Sequence, residues 1–172
     1  MSDYDVRRQL KLSNNRNIEN DKSGASVKFP PPLVFLTFML TAAGAHHFWP
    51  MQLGSLSGFR YIGGVVVILG IFITILARMS FKKAETNIAP WKPTTKIVST
   101  GIFAYSRNPF YVAFCLISIG IGTFFDSIWI LFSFIPSAVI IYYIAIKKEE
   151  AYLEKKFGEE YEHYKNKVRR WF

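Results

Sequence analysis

The chain has few of the residues from which small proteins build metal and redox centres. Of 172 residues one is a cysteine, Cys115, and three are histidines. A lone thiol excludes an internal disulfide framework and a cysteine metal site. His46 and His47 are adjacent, and on a helix such neighbours diverge by about 100°, which suits a shared ion poorly. His163 stands between Glu162 and Tyr164 in a charged stretch, where a solvated imidazole is the simpler reading. No metal site is expected. A glycine-rich strand-to-helix turn is also lacking, which excludes a pocket of the doubly wound nucleotide-binding kind. Acidic residues are scarce too, 12 against 21 lysines and arginines, for a net charge of +9. The cations gather beside apolar runs, so anionic lipid headgroups rather than nucleic acid are the expected partner.

Apolar residues are abundant, at 51% of the chain with 17% aromatic. Four runs, residues 33–49, 59–81, 109–125 and 128–146, approach or reach the length that crosses a bilayer core as a helix. The expected fold is an all-α integral membrane protein of about four transmembrane helices. The last two form a tight hairpin about Asp126-Ser127, followed by amphipathic cytosolic helices over 147–172. Residues 1–32 read as a disordered polar tail ending at Pro30-Pro31-Pro32, ahead of one membrane domain, 33–172. Ala42-Ala43-Gly44-Ala45 after an apolar run resembles a signal-peptide cleavage site, but the polar lead is too long for one. The loop from Pro50 to Gly58 carries no charge, whereas Lys82, Lys83, Lys92, Lys96 and Arg107 face Glu85 alone between the second and third runs. By the positive-inside rule both termini lie on the cytoplasmic side, in a bacterial inner membrane or an internal eukaryotic one.

Gly63, Gly64, Val67, Gly70, Thr74 and Ala77 recur at helical spacings, a face that lets helices approach closely in lipid. After Ile146 the pattern turns amphipathic: Glu149 or Glu150, Leu153, Phe157, Tyr161, Tyr164 and Val168 continue one stripe. Carboxylates on or beside an apolar face need a partner. Lys155, Lys156, Lys165, Lys167, Arg169 and Arg170 read as a solvated face turned to the headgroups.

Two apolar helices of similar length joined by a short turn bring their polar ends to one side of the bilayer. Ser106 to Tyr111 thereby meets Lys147 to Gly158. Asn108-Pro109 is a favourable helix start, with Asn as cap and Pro at the first position. Its free N–H groups and Arg107 suit a carboxylate or phosphate. Glu149 and Glu150 suit an ammonium, and Tyr105, Tyr111, Tyr152, Tyr161 and Tyr164 offer hydroxyls or ring faces. The residues leave open whether these charges bind a ligand or pair with one another to lock the hairpin.

Thr86-Asn87, Lys92-Pro93-Thr94, Gly101, Arg107-Asn108-Pro109-Phe110-Tyr111, the run from Glu149 to Tyr161, and Tyr164, Val168 and Arg170 together resemble the isoprenylcysteine carboxyl methyltransferase and phospholipid methyltransferase superfamily. The resemblance extends from the second apolar run to the end of the chain. It implies a membrane enzyme that binds S-adenosylmethionine at its cytosolic face and receives a greasy acceptor from the lipid side. Arg107, Asn108, Pro109 and Tyr111 match one motif of that superfamily and Glu149 and Glu150 another. By that match one glutamate holds the amino group of the cofactor, and Arg107 orients it or binds the cofactor carboxylate. Tyr161 and Tyr164 pack over the cofactor, and Arg170 helps to close the site. Arg107 and Glu150 are the expected catalytic pair. Asn108 where eukaryotic members have His, Ala113 where many have Gly, and Ile102-Phe103 in place of Pro-Tyr bear chiefly on the acceptor. The expected activity is methyl transfer to a small lipidic or hydrophobic acceptor, most like isoprenylcysteine carboxyl O-methylation. The alternatives are phospholipid amine N-methylation and a non-catalytic scaffold or lipid-binding protein of the same fold. The oligomeric state is left open.

Overall fold

A computed structural model describes Asp5, Gly24, Ala25, Val27 and residues 29–54 and 58–171. Most of the tail assigned to residues 1–32 lies outside these. Among the described residues the secondary structure is helical, with no strand.

Helix α1 (Pro31–Phe48) starts two residues earlier than the hydropathy run, because Pro31 at its first turn has no N–H to lose. Helix α2 (Gly58–Lys83) and helix α3 (Pro109–Phe124) pack along each other as the most extensive pair in the molecule. Their seam is glycine-lined: Gly63, Gly70 and Ala77 are the buried residues of α2. A methyl group on Gly63 would lie 2.5 Å from the Phe124 amide nitrogen, and one on Gly120 would lie 2.8 Å from the Gly63 carbonyl. Backbone therefore rests on backbone, as the small-residue spacing predicts; Gly64 is only half-buried and meets no more than the edge of the Phe124 ring.

The hairpin turn is as short as expected. Asp126 adopts φ 53°, and the Ser127 hydroxyl accepts the Ile130 N–H at 3.3 Å to cap the returning helix. The Asp126 carboxylate also accepts the Leu53 N–H at 2.9 Å, tying the hairpin tip to the first loop.

The return stroke is a rod in four pieces. These are α4 (Ile128–Phe132), α5 (Phe134–Ile141), a widened π turn (Tyr142–Ile146) and α6 (Lys147–Phe157). The break at Ser133 follows from Pro136, which cannot donate to the carbonyl four residues back. The apolar part ends at Ile146, and the rod continues as polar α6. Gly158, at φ 52°, reverses the chain into α7 (Glu159–Lys167). The α2 helix and the rod over Ile128–Phe157 are long and apolar enough to cross a membrane. Helix α1 packs against α4 and α5, with the Phe35 and Phe114 rings 5.4 Å apart.

Three expectations need correction. Asn108 does not cap α3: its side-chain amide donates to the Arg170 carbonyl at 3.1 Å instead. Lys156 is not on a solvated face; it is 6% exposed, and its ammonium donates to the Tyr152 hydroxyl at 3.0 Å. The end of the polar tail is not loose, since Gly24, Ala25 and Val27 are buried.

Candidate active site at the polar end of the hairpin

The start of α3 and the first turn of α6 meet at the polar end of the hairpin, as expected. Arg107, just before α3, and Glu150, in the first turn of α6, are 3.2 Å apart at Nη1 and Oε1. Arg170, beyond α7, grips the same carboxylate with two parallel bonds, Nε to Oε1 at 2.8 Å and Nη2 to Oε2 at 2.9 Å. A planar guanidinium fork matches a carboxylate in this way, so the C-terminal segment is clamped to α6. Backbone bonds reinforce the clamp: the Arg107 N–H donates to the Arg169 carbonyl at 3.0 Å. The Ser106 hydroxyl donates to the Arg170 carbonyl at 3.3 Å. The paired Glu150 raises the affinity of Arg170 for its proton above the usual guanidinium value.

Glu149 is treated differently from its neighbour. It accepts the Tyr111 hydroxyl at 2.7 Å. Burial pushes its carboxyl from 4.5 up to about 7; the Tyr111 bond pulls it down, and the adjacent Glu150 charge pushes it up. Tyr161 and Tyr164 stand on α7, both buried, and burial pushes the pKa of each phenol above the usual tyrosine value. The Arg107 Nη1 donates to the Tyr161 hydroxyl at 3.4 Å, and the Tyr164 hydroxyl donates to the Phe103 carbonyl at 2.8 Å. The Arg107 Nε is buried and finds no hydrogen-bond partner among the described residues.

These groups share a cavity of about 390 Å³. Arg107, Asn108, Tyr111, Glu149, Glu150, Tyr161 and Tyr164 all contribute to its wall. Pro109 is fully buried at the first position of α3, and Arg170 acts on the wall through Glu150. Tyr105 stands outside, 77% exposed. Phe81, Phe110 and Phe114 of the helices and Val98 and Phe103 of the connecting segment add an apolar stretch of wall. Phe103 sits in a short 3₁₀ turn (Gly101–Ala104), with its ring 5.3 Å from Phe81 and 6.4 Å from Phe110. Arg78 of α2 also borders the cavity. No periodicity marks these residues, because the segment from 84 to 108 is irregular over most of its length. Among the described residues no cluster of His, Cys, Asp or Glu is arranged to hold a metal ion.

The arrangement is that of a helical membrane-associated protein with a chamber lined by charged and aromatic side chains. Residues 59–160 match the family model described as phospholipid methyltransferase, and the chain belongs to that family. Methyl transfer is the activity that membership implies. An uncharacterised protein of Haemophilus influenzae is 58% identical over 33 residues, 19% of this chain. The matched part spans about half, 52%, of that relative's length.

Proposed function

We propose that this protein transfers a methyl group from S-adenosylmethionine to a small lipidic or hydrophobic acceptor at the cytoplasmic face of a membrane. The observation that carries this reading is the chamber itself, where opposite charges that a zwitterion would satisfy lie beside an aromatic wall. The Arg107 Nε is a buried donor in want of an acceptor, which the carboxylate of the cofactor would supply. Glu149, held by the Tyr111 hydroxyl, is the carboxylate that would take the ammonium, while Glu150 is already gripped by two arginines and holds Arg107 in place. Tyr161 and Tyr164 offer ring faces for the remainder. The bound cofactor supplies an electrophilic methyl on a sulfonium, and the protein aligns the acceptor, keeps the chamber dry and holds the charges still.

The four-span topology, with α1 and α3 crossing beside the two longer helices, accords with the distribution of cations along the chain. In that topology the chamber would lie level with the headgroups. An acceptor carboxylate needs no base, which favours a prenylated cysteine or a similar acid. Phospholipid amine methylation is the second reading, favoured by the family match. An ammonium must lose a proton before attack, and Glu149, with its carboxyl pushed up to about 7, titrates in the required range.

Calorimetric titration of the purified protein in detergent with S-adenosylmethionine and S-adenosylhomocysteine tests the proposal. Saturable binding of both, weakened about tenfold or more in Arg107→Ala, is the expected result. Labelled methyl transfer to a prenylcysteine analogue, compared with vesicles containing phosphatidylethanolamine, then separates the two acceptors. Folded protein that binds neither cofactor form is instead a scaffold or lipid-binding protein of the same fold.

A further inference from the structure

Two cations of the chamber wall have no task in the reading above. Arg78 and Lys96 both line it, with Arg107 as a third cation, against the carboxylates of Glu149 and Glu150. Arg107 is committed to Glu150, as is Arg170, and Glu149 accepts the Tyr111 hydroxyl. Arg78 and Lys96 make no ion pair with any described residue. Positive charge is therefore in surplus on the wall, beyond ion-pair reach of both glutamates.

The place of Arg78 in its helix is costly for a side chain without a task. It is the one charged residue of α2 between Arg60 and Lys82. Four residues of helix, about 6 Å, set it back from Lys82, which with Lys83 already supplies the last turn with cations for the headgroups. A charge set back into an apolar span is expensive and is kept where it serves a binding path. The burial of Ala77 next to it fixes the rotation of α2, and with it the side on which Arg78 emerges. Phe81, three residues on and so on the same face, belongs to the same wall.

Arg78 and Lys96 are exposed although they line the chamber, so they stand at its rim, and the exposed side chains of Ile88 and Trp91 stand there too. A rim with a guanidinium, an ammonium and large apolar side chains suits an amphiphile with an acidic head. The oxyanion accepts from the planar fork of Arg78 and from Lys96, and the chain lies against Ile88 and Trp91. We infer that Arg78, with Lys96, is the anion site that holds the methyl acceptor, which is therefore an acidic amphiphile bearing a carboxylate or a phosphate and not a neutral lipid. This role rests on the methyltransferase reading. In an acid the oxyanion is the reacting group itself; in an aminophospholipid it is the phosphate beside the reacting amine.

Calorimetric titration of the full-length protein in a neutral maltoside detergent, with dodecyl phosphate, N-dodecanoylglycine and uncharged dodecanol, tests the site. The parent should bind at least one of the two anions about tenfold more tightly than the alcohol, and Arg78→Gln should lose that preference. Arg78→Met, which suits an apolar helix, carries the same expectation should Arg78→Gln fail to fold. Lys83→Gln removes an equal charge from an exposed position outside the chamber wall and should keep the preference. A parent without preference, variants at position 78 that keep it, or an equal loss in Lys83→Gln overturns the site, and binding of S-adenosylhomocysteine by the same parent then leaves the methyltransferase reading intact. A folded parent that prefers the anions but binds no S-adenosylhomocysteine overturns the methyltransferase reading, and the acceptor role with it. The tighter of the two anions tells a carboxylate acceptor from a phosphate one.

Discussion

The α2–α3 seam and the clamp around Glu149 and Glu150 hold the same molecule together by opposite means. The seam has no charge: glycines let backbones touch, and its energy is dispersion over a close fit. The clamp is charge and hydrogen bond, with Arg107, Arg170, Tyr111 and Tyr161 around two carboxylates. A close fit is intolerant of bulk but indifferent to pH and salt. A polar cluster is sensitive to both, and its incompletely satisfied members are available to a ligand.

The seam should break first. Gly120→Leu drives a side chain into the Gly63 carbonyl and the Val67 amide, each 2.8 Å from a first methyl group. Overpacking there should cost about 3 kcal/mol or prevent folding, seen as a lowered thermal midpoint in detergent at any salt concentration. Glu150→Ala comes next. It leaves Arg107 and Arg170 facing each other without their shared anion, and should cost about 2 kcal/mol, since Arg170 keeps one third of its side chain exposed. Cofactor affinity should fall with it, and added salt should recover part of the stability.

Glu149→Gln sharpens the contrast, because it should stabilise the protein. In the folded chain the carboxyl keeps its proton up to about pH 7, while the unfolded chain gives it up near 4.5. The parent therefore loses stability as pH rises from about 4.5 to 7 and stays at the lower level above that. Against the parent, Glu149→Gln should gain on the order of 2 kcal/mol at pH 8 and nothing at pH 4, read from denaturant or thermal midpoints at both values. Binding of the cofactor ammonium should fall in the same variant. In the parent it should be accompanied by proton release below pH 7, measurable in buffers of different ionisation enthalpy. The smallest effect belongs to Lys165 and Glu154, a pair with 40% and 39% of their side chains exposed. Glu154→Gln should change stability by less than about 0.5 kcal/mol.

The convergence of Arg107 with Glu150 was legible in the sequence because it follows from two lengths and a turn. Apolar runs of similar extent either side of Asp126-Ser127 leave their polar ends little choice of place. The glycine spacing of the seam was legible for a similar reason, since a helix repeats its faces regularly. The partners of individual polar atoms were not. Asn108 at a helix start has the pattern of a cap, yet the Arg170 carbonyl, brought in by the reversal at Gly158, competes for its amide and takes it. Lys156 sits in a run of cations that looks solvated. The rotation of α6 turns it inward onto Tyr152, whose hydroxyl also accepts the Thr94 N–H at 3.1 Å. The burial of Gly24 against Pro90 and Lys92 leaves no trace in composition, because it depends on a loop more than sixty residues away.

Sequence alone determined the helical membrane architecture and the two charged motifs that meet at one end, because periodicity, hydropathy and chain length act locally or along a single axis. Tertiary structure alone decided which glutamate two arginines grip and which one the Tyr111 hydroxyl holds, and that Ala25, Pro31 and Pro32 help to wall the chamber. Both depend on where Arg170, Tyr111 and Pro90 arrive in space, and a hydrogen bond is sensitive to tenths of an ångström that no residue pattern encodes.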